Sequence, residues 1–158
     1  MLPRSFYKKN RQNLFSKSNV DCIIVAAAGL MQRNSDCAYP FRQDSNFLYL
    51  TGCNEPDLLL VITKDTHYLV LPKRQAHRDI WEGSLSPSDL TAASGVDNVL
   101  PHKEGWLLIN QLAFARRVGV ILPPKQFLAS YGMYTNPTRT VLHNTLKRKK
   151  AKEENQQV

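Results

Sequence analysis

One short apolar segment, Val20–Ala28, constrains the fold more than any other part of the sequence. Apart from Asp21 it consists of β-branched, small and other apolar residues, and Gly29 follows it directly. Its length is short for a buried helix, and the glycine at its end favours a strand. A strand without polar alternation is typical of a sheet that is covered on both faces.

Further strand and helix patterns flank this segment. Short strands are predicted at Phe47–Thr51, Asp57–Thr63, His67–Leu71 and Val118–Leu122. Helices are predicted at 3–16, 74–81, Pro87–Ser94, Glu104–Ala115 and from Asn136 through Leu146. Only Lys64–Thr66 separates two of the strands, which predicts a β-hairpin. Residues 29–46 are polar and contain Pro40, so a long ordered loop is expected there.

The order of these elements indicates the fold class. Strands alternate with helices, and one antiparallel hairpin lies among them. This pattern predicts an α/β fold: a single three-layer domain with a mixed β-sheet flanked by helices. Residues 86–89 show the signature of a helix start, with Ser86 as N-cap and Pro87 at the first helical position.

The net charge of +8 comes from the two ends of the chain. Residues 1–17 carry five basic and no acidic side chains, and residues 147–158 carry a net charge of +3. The span between them has no net charge. We therefore expect one domain at 1–146 followed by a basic, polar and disordered tail at 147–158. Basic runs at chain ends are more often solvated than bound to nucleic acid, so no nucleic-acid partner is expected.

Several function classes are disfavoured by the residues that are missing. The chain has no run of 18 apolar residues and no apolar signal segment, so neither a membrane partner nor secretion is expected. Its three cysteines, at 22, 37 and 53, do not form a disulfide framework, which favours a reducing, cytoplasmic location. Gly-x-Gly-x-x-Gly and metal-binding Cys or His spacings are absent, so no nucleotide or zinc site is expected.

The stretch 34–56 is the part of the sequence that is richest in binding chemistry. It interleaves charged residues with aromatic ones: Asp36, Arg42, Asp44 and Glu55 with Tyr39, Phe41, Phe47 and Tyr49. Aromatic rings supply rigid contact area, and fixed charges orient a peptide terminus or an interface. A loop that is anchored by aromatic packing and internal ion pairs explains the same pattern, and both interpretations stay open.

Three blocks of the sequence also carry a resemblance: Arg42–Gly52, Asn54–Pro56 and Asp79–Gly83. They resemble the N-terminal domain of bacterial aminopeptidase P, the Xaa-Pro aminopeptidase branch of the creatinase/prolidase family. The basic first helix and the Gly95–Asp97 turn fall in the order expected for that domain. The resemblance covers residues 3–145, nearly all of the predicted domain.

The resemblance implies where the chemistry of the family resides. In that family a pita-bread domain holds two divalent metal ions, usually manganese, and hydrolyses the bond before a penultimate proline. A metal-activated water suits this reaction, because the X-Pro amide has no N–H and its ring restricts the chain. Residues 1–158 contain none of that domain, so we expect no catalytic residues, metal ligands or cofactor in them and no activity from them alone.

The resemblance further implies a role at the rim of the catalytic pocket. The family's N-terminal domain builds oligomer contacts and lends residues to a pocket in its own or a neighbouring subunit. By resemblance, Asp36 is expected to hold the free amino group of the substrate and Trp81 to form an apolar wall. Tyr39 and Arg42 are expected to position Asp36. A structural role for Trp81, covering the sheet, stays open.

The leading hypothesis is therefore a non-catalytic N-terminal domain of a Xaa-Pro aminopeptidase. Its expected partners are the catalytic domain of the same enzyme, neighbouring subunits and further copies of itself. A peptide with a penultimate proline is a partner only of the full enzyme. The alternative is a stand-alone interaction module that has kept the fold and lost the enzyme. The coding sequence downstream of residue 158 distinguishes the two.

Overall fold

A five-stranded sheet forms the middle of the molecule, and helices pack on both of its faces. The computed structural model describes residues 2–29, 32–34, 37–38, 41–73, 86–121, 142 and 144–146. The elements in chain order are α1 (Arg4–Lys17), β1 (Cys22–Ala26), β2 (Gln32–Asn34), β3 (Cys37–Ala38), α2 (Ser45–Thr51), β4 (Leu59–Thr63), β5 (His67–Val70), α3 (Pro87–Ser94), β6 (Asn98–Leu100), α4 (His102–Ala115) and β7 (Val118–Val120).

The sheet is mixed, as the sequence predicts. Its strand order is β6-β5-β4-β1-β7. The β1–β4 and β4–β5 pairs are antiparallel, whereas β5–β6 and β1–β7 are parallel. Strands β2 and β3 form a separate antiparallel pair.

The core lies on both sides of β1, whose five residues are all buried. Ile23 and Val25 belong to a cluster that includes Phe47 of α2 and Leu90 of α3. Ile24 belongs to a second cluster, which includes Ile109 of α4. Successive side chains of a strand point to opposite faces, so one apolar strand supplies both clusters. The predictions of a buried strand and of a three-layer domain are therefore confirmed.

The predicted hairpin is present between β4 and β5. The Thr63 amide donates to the Thr66 carbonyl over 2.9 Å. The Thr63 hydroxyl donates to the same carbonyl over 2.7 Å and accepts from the Thr66 amide over 3.1 Å. These bonds hold the short turn closed and fix the register Ile62↔His67.

The helices predicted at 3–16, Pro87–Ser94 and Glu104–Ala115 are present as α1, α3 and α4. At α3, the Ser86 hydroxyl accepts from the amide of Asp89, and the Asp89 carboxylate accepts from the amide of Ser86. This reciprocal pair satisfies two amides that the first turn leaves unbonded. Gly95, with φ +70°, ends the helix. Helix α4 begins at His102, two residues before the predicted start.

The strand predicted at Phe47–Thr51 is wrong, because these residues belong to helix α2. The Asp44 carboxylate accepts hydrogen bonds from the amides of Asn46 and Phe47, each over 3.0 Å. Gly52 closes the helix in the left-handed conformation, at φ +68°. A cap at each end stabilises about two turns of helix in a segment whose short apolar run fits a strand equally well.

Two further differences concern strands. The loop predicted at 29–46 contains strands β2 and β3 and the first two residues of α2, so that prediction is wrong at 32–34, 37–38 and 45–46. Strand β6, which is only three residues long, was not predicted, because the stretch between the Gly95–Asp97 turn and the next helix is too short to show a strand pattern. The predicted helix at 74–81 and the tail at 147–158 lie outside the described residues. Of the predicted last helix, Leu142 and residues 144–146 are described, and they are helical.

Candidate functional site

The structure describes only one of the four residues predicted for the pocket rim. Arg42 is described, and its side chain is exposed. Asp36, Tyr39 and Trp81 lie outside the described residues, so the structure does not test whether the four come together. Their predicted roles stay predictions.

The segment that carries Arg42 is fixed by the buried side chain of Gln43. Its Oε1 accepts from the Ala28 amide over 2.9 Å and from the Asp44 amide over 3.0 Å. Its Nε2 donates to the carbonyls of Cys53 and Glu55, over 3.0 and 2.8 Å. The Gln43 side-chain amide thus uses all its donors and acceptors, and its bonds connect the residues after β1 to the turn before β4. Sequence reasoning gave Gln43 no role beyond its place in the resemblance.

In the described part of the chain, a cluster of buried hydrogen-bonding and ionisable groups surrounds Arg11. This side chain has no exposed surface. Its Nε donates to Nδ1 of His67 over 2.9 Å. Its Nη1 donates to the carbonyls of Leu50 and Ser94, each over 2.8 Å. Arg11 therefore joins α1 to the ends of α2 and α3 and to the start of β5.

Asp97 completes this cluster from the turn before β6. Its Oδ2 accepts from the backbone amide of His67 over 2.8 Å, and its own amide donates to the His67 carbonyl over 2.9 Å. The Asp97 carboxylate attracts the charge on Arg11. A cation, an imidazole and a carboxylate thus meet where strands β5 and β6 begin.

Burial sets the ionisation of the cluster. It lowers the pKa of Arg11 to about 10, although the Asp97 carboxylate opposes the shift. It lowers the pKa of His67 to about 4, and the positive charge of Arg11 adds to that effect. It raises the pKa of the Cys53 thiol, against hydrogen bonds with Thr51 and Ser94. At neutral pH, Arg11 is charged, His67 is neutral and Cys53 is a thiol.

These ionisation states indicate a structural role for the cluster. The Nδ1 of His67 is occupied as the acceptor of the Arg11 hydrogen bond, so it is not available to a substrate or a metal ion. A buried thiol with a raised pKa is a poor nucleophile. Within the described ranges, no group of three or more His, Cys, Asp or Glu side chains could hold a metal ion.

Sequence reasoning missed this cluster because it treated Arg11 as one of several charges on a basic helix. A signal was nevertheless present. Arg11 lies three and four positions before Leu14 and Phe15, which pack against the core, so it shares their face of α1. A basic residue on the apolar face of a helix indicates either an interface or a buried hydrogen-bond network.

The fold and the network together define a class: a mixed-sheet α/β domain held by a buried arginine. Among its described helices none is long and apolar enough to cross a membrane. Residues 7–122 match the family model for the aminopeptidase P N-terminal domain. The chain therefore belongs to the family of aminopeptidase P N-terminal domains, the N-terminal domains of Xaa-Pro aminopeptidases, and the family resemblance is confirmed.

Individual relatives agree with this assignment. The chain is 34% identical over 110 residues to the Xaa-Pro aminopeptidase of Escherichia coli, which covers 65% of this chain and 25% of that protein. It is 34% identical over 99 residues to Xaa-Pro aminopeptidase 3 of Mus musculus, covering 57% of this chain and 20% of that one. The chain therefore spans about a fifth to a quarter of the length of these two curated relatives.

Solved structures show the same fold. Aminopeptidase P from Escherichia coli, in a low-pH form, superposes with a TM-score of 0.72 at 28% identity, over 99% of this chain and 35% of that one. Pseudomonas aeruginosa aminopeptidase PepP superposes with a TM-score of 0.67 at 26% identity, over 82% of this chain and 31% of that one. The predicted fold class is confirmed by these superpositions.

Proposed function

We propose that this domain is a non-catalytic part of a Xaa-Pro aminopeptidase and serves its oligomer contacts and the rim of its substrate pocket. The observation that supports the proposal is the family match over residues 7–122. In this proposal the substrate is a peptide with a penultimate proline. The manganese ions and the bond cleavage belong to the catalytic region of the whole enzyme, in the same or a neighbouring subunit.

Four residues carry the proposed rim. Asp36 would hold the free amino group of the peptide, and Trp81 would form an apolar wall beside it. Tyr39 and Arg42 would position Asp36. The bonds of Gln43 lend support, because they fix the backbone immediately after Arg42. A rim residue needs a rigid base of this kind in order to orient a substrate.

A chimera tests the rim directly. Residues 1–146 replace the corresponding N-terminal region of the Escherichia coli enzyme, and cleavage of an Xaa-Pro peptide is measured with manganese present. We expect the chimera to be active. Asp36→Asn should raise KM about tenfold with a smaller change in kcat, because it removes a charge that binds the substrate amine before and during the reaction. Trp81→Ala should also raise KM.

The control is Asp65→Asn, which changes an exposed acid in the β4–β5 turn and should leave KM unchanged. Size-exclusion chromatography with light scattering reports the oligomeric state of the chain and of the chimera. Unchanged KM in both rim variants contradicts the rim role. Stoichiometric manganese binding and Xaa-Pro cleavage by residues 1–158 alone contradict the non-catalytic role.

A cytoplasmic location belongs to the same proposal. The thiols of Cys22 and Cys53 are both buried in the core. A reducing compartment would preserve them as thiols.

A further inference from the structure

Helices α1 and α2 present apolar side chains to solvent on one flank of α1. Phe6 of α1 packs edge-to-face against Tyr49 of α2, with 6.3 Å between the ring centroids. Tyr49 is nevertheless 58% exposed, and Leu48 beside it is 42% exposed. We call these three residues the aromatic ridge. Burying them against a partner would remove apolar surface from water.

The other flank of α1 borders a basic cleft. The cleft has a volume of about 270 Å³ and is lined by Arg4, Ser5, Lys8, Thr91, Gly95 and Val96. Arg4 and Lys8 lie one helical turn apart, and both side chains are exposed. The hydroxyls of Ser5 and Thr91 add hydrogen-bonding groups beside them.

The charge of this surface is not balanced by acids on α1, because residues 2–20 contain none. The acids on the neighbouring helix ends accept local hydrogen bonds. Asp44 accepts from two amides of α2, and Asp89 accepts from the amide and the hydroxyl of Ser86. Asp97 accepts from the His67 amide. The described lining of the cleft holds two cations, Arg4 and Lys8, and no acidic side chain, so the cleft presents positive charge to an anionic partner.

We propose that the aromatic ridge and the basic cleft form a docking surface for an acidic protein segment that carries an apolar side chain. The two features lie on opposite flanks of one helix, which is about 10 Å across. An extended chain covers that distance in about three to four residues. The partner segment therefore places a carboxylate in the cleft and an apolar side chain on the ridge, a few residues apart.

The shape of the surface favours a protein segment over the two other anionic partners. A bilayer is broad and would meet the exposed ridge while leaving the recessed cleft empty. Single-stranded nucleic acid needs ring faces along the groove that binds its backbone. Here the rings stack edge-to-face with each other on the flank away from the cleft.

The test measures binding of the full chain to a fluorescently labelled random copolymer of glutamate and tyrosine, by anisotropy at low salt. We expect the double variant Arg4→Glu/Lys8→Glu to bind about tenfold more weakly, because it reverses both charges of the cleft. We expect Tyr49→Ser to bind about fivefold more weakly, because it removes the largest side chain of the ridge. Plain polyglutamate should bind more weakly than the copolymer.

The matched control is Lys64→Glu/Lys103→Glu, which alters net charge by the same amount at two exposed sites outside the aromatic ridge and the basic cleft. It should bind within about twofold of the wild type. An equal loss in this control would overturn the proposal, since net charge alone would then explain binding. So would unchanged binding by Tyr49→Ser, or tighter binding of oligo(dT) or of phosphatidylserine vesicles than of the copolymer.

The variants are compared only after circular dichroism and thermal unfolding show that each one folds like the wild type. All the substituted side chains are exposed, so folding should survive. Leu48→Ser provides a second ridge variant in case Tyr49→Ser unfolds. Normal binding by the folded Leu48→Ser chain would then count against the ridge. Failure here leaves the proposed rim role intact, because that role uses other residues and a different readout.

Discussion

A guanidinium in a protein core is stabilising when its donors find acceptors and its charge is compensated. The Nε and Nη1 of Arg11 donate hydrogen bonds and Asp97 attracts its charge, whereas Nη2 has no hydrogen-bond partner among the described residues. Two of the acceptors are carbonyls that would otherwise be unsatisfied. The carbonyls of Leu50 and Ser94 belong to the last turns of α2 and α3, where helices leave backbone oxygens without partners. A cation is also favoured at the negative end of a helix dipole. One side chain therefore caps the C-terminal ends of two helices.

Replacing Arg11 should destabilise the domain more than replacing any exposed cation of α1. In Arg11→Met, the His67 imidazole and two buried carbonyls lose their donor, and we expect the free energy of unfolding to fall by about 3 kcal/mol or more. Urea unfolding followed by circular dichroism measures this change. Lys9→Met, at an exposed position, is the control and should stay within about 0.5 kcal/mol of the wild type. Equal losses in both variants would contradict the role of Arg11.

His67 should make the stability of the domain depend on pH. Its pKa is about 4 in the folded chain but near 6.5 when it is unfolded. Between these values the unfolded state binds the extra proton, so the free energy of unfolding falls as the pH is lowered from 6.5 to 4. For one proton the slope reaches about 1.4 kcal/mol per pH unit. Above pH 6.5 the contribution is constant.

The measurement is urea unfolding at a series of pH values. His67→Gln keeps an acceptor for Arg11 but does not titrate, so its stability should vary less between pH 4 and 6.5. The difference between the wild type and this variant isolates His67 from the carboxylates that titrate in the same range. Parallel pH profiles for the two proteins would show that His67 does not carry the effect.

At the scale of elements, the sequence correctly predicted the helices and strands whose length or end residues fit only one type of secondary structure. The apolar run of β1, the Lys64–Thr66 turn and the Ser86 cap each specify one outcome, and each prediction was confirmed. Phe47–Thr51 was predicted wrongly because five apolar-rich residues fit a strand or a helix. The flanking residues favour the helix, because Asp44 caps its first turn and Gly52 ends it.

The two glycines that end α2 and α3 should differ in their tolerance of a side chain. Gly52 and Gly95 have nearly the same φ, +68° and +70°. Alanine at either position therefore costs about 1 kcal/mol from the backbone. At Gly52 a Cβ would also overlap the ring of Tyr7, whereas at Gly95 it lies 3.1 Å from the Arg4 carbonyl oxygen. We expect Gly52→Ala to be the more destabilising by about 1–2 kcal/mol.

Thermal and urea unfolding of both variants test this order. The double variant Gly52→Ala/Tyr7→Ala removes the overlapping ring, so it should lose less than the two single changes added together. A strictly additive double variant would show that Tyr7 is not the obstacle.

At the scale of the whole molecule, the sequence indicates the layers of the fold but not the site. Layering follows from strand and helix periods, which are local properties. The hydrogen bonds of Arg11 join residues that are up to 83 positions apart, and such pairings depend on how the layers pack. The roles of the four rim residues rest on the family resemblance alone, and the structure tests none of them. The net charge also divides along the chain: α1 is basic, whereas residues 18–146 have no net charge.

The second core cluster predicts where the domain ends. Leu142 is 2% exposed and packs with Ile24 and Ile109 on the face of the sheet covered by α4, and Leu146 packs against the same cluster. Leu142→Ala should therefore lower the free energy of unfolding by about 2–4 kcal/mol. Leu107→Ala, on the exposed side of α4, should change it by less than about 0.5 kcal/mol. A chain of residues 1–146 retains both leucines and should unfold at the same urea concentration as residues 1–158. A lower midpoint for the shorter chain would show that residues 147–158 belong to the folded domain.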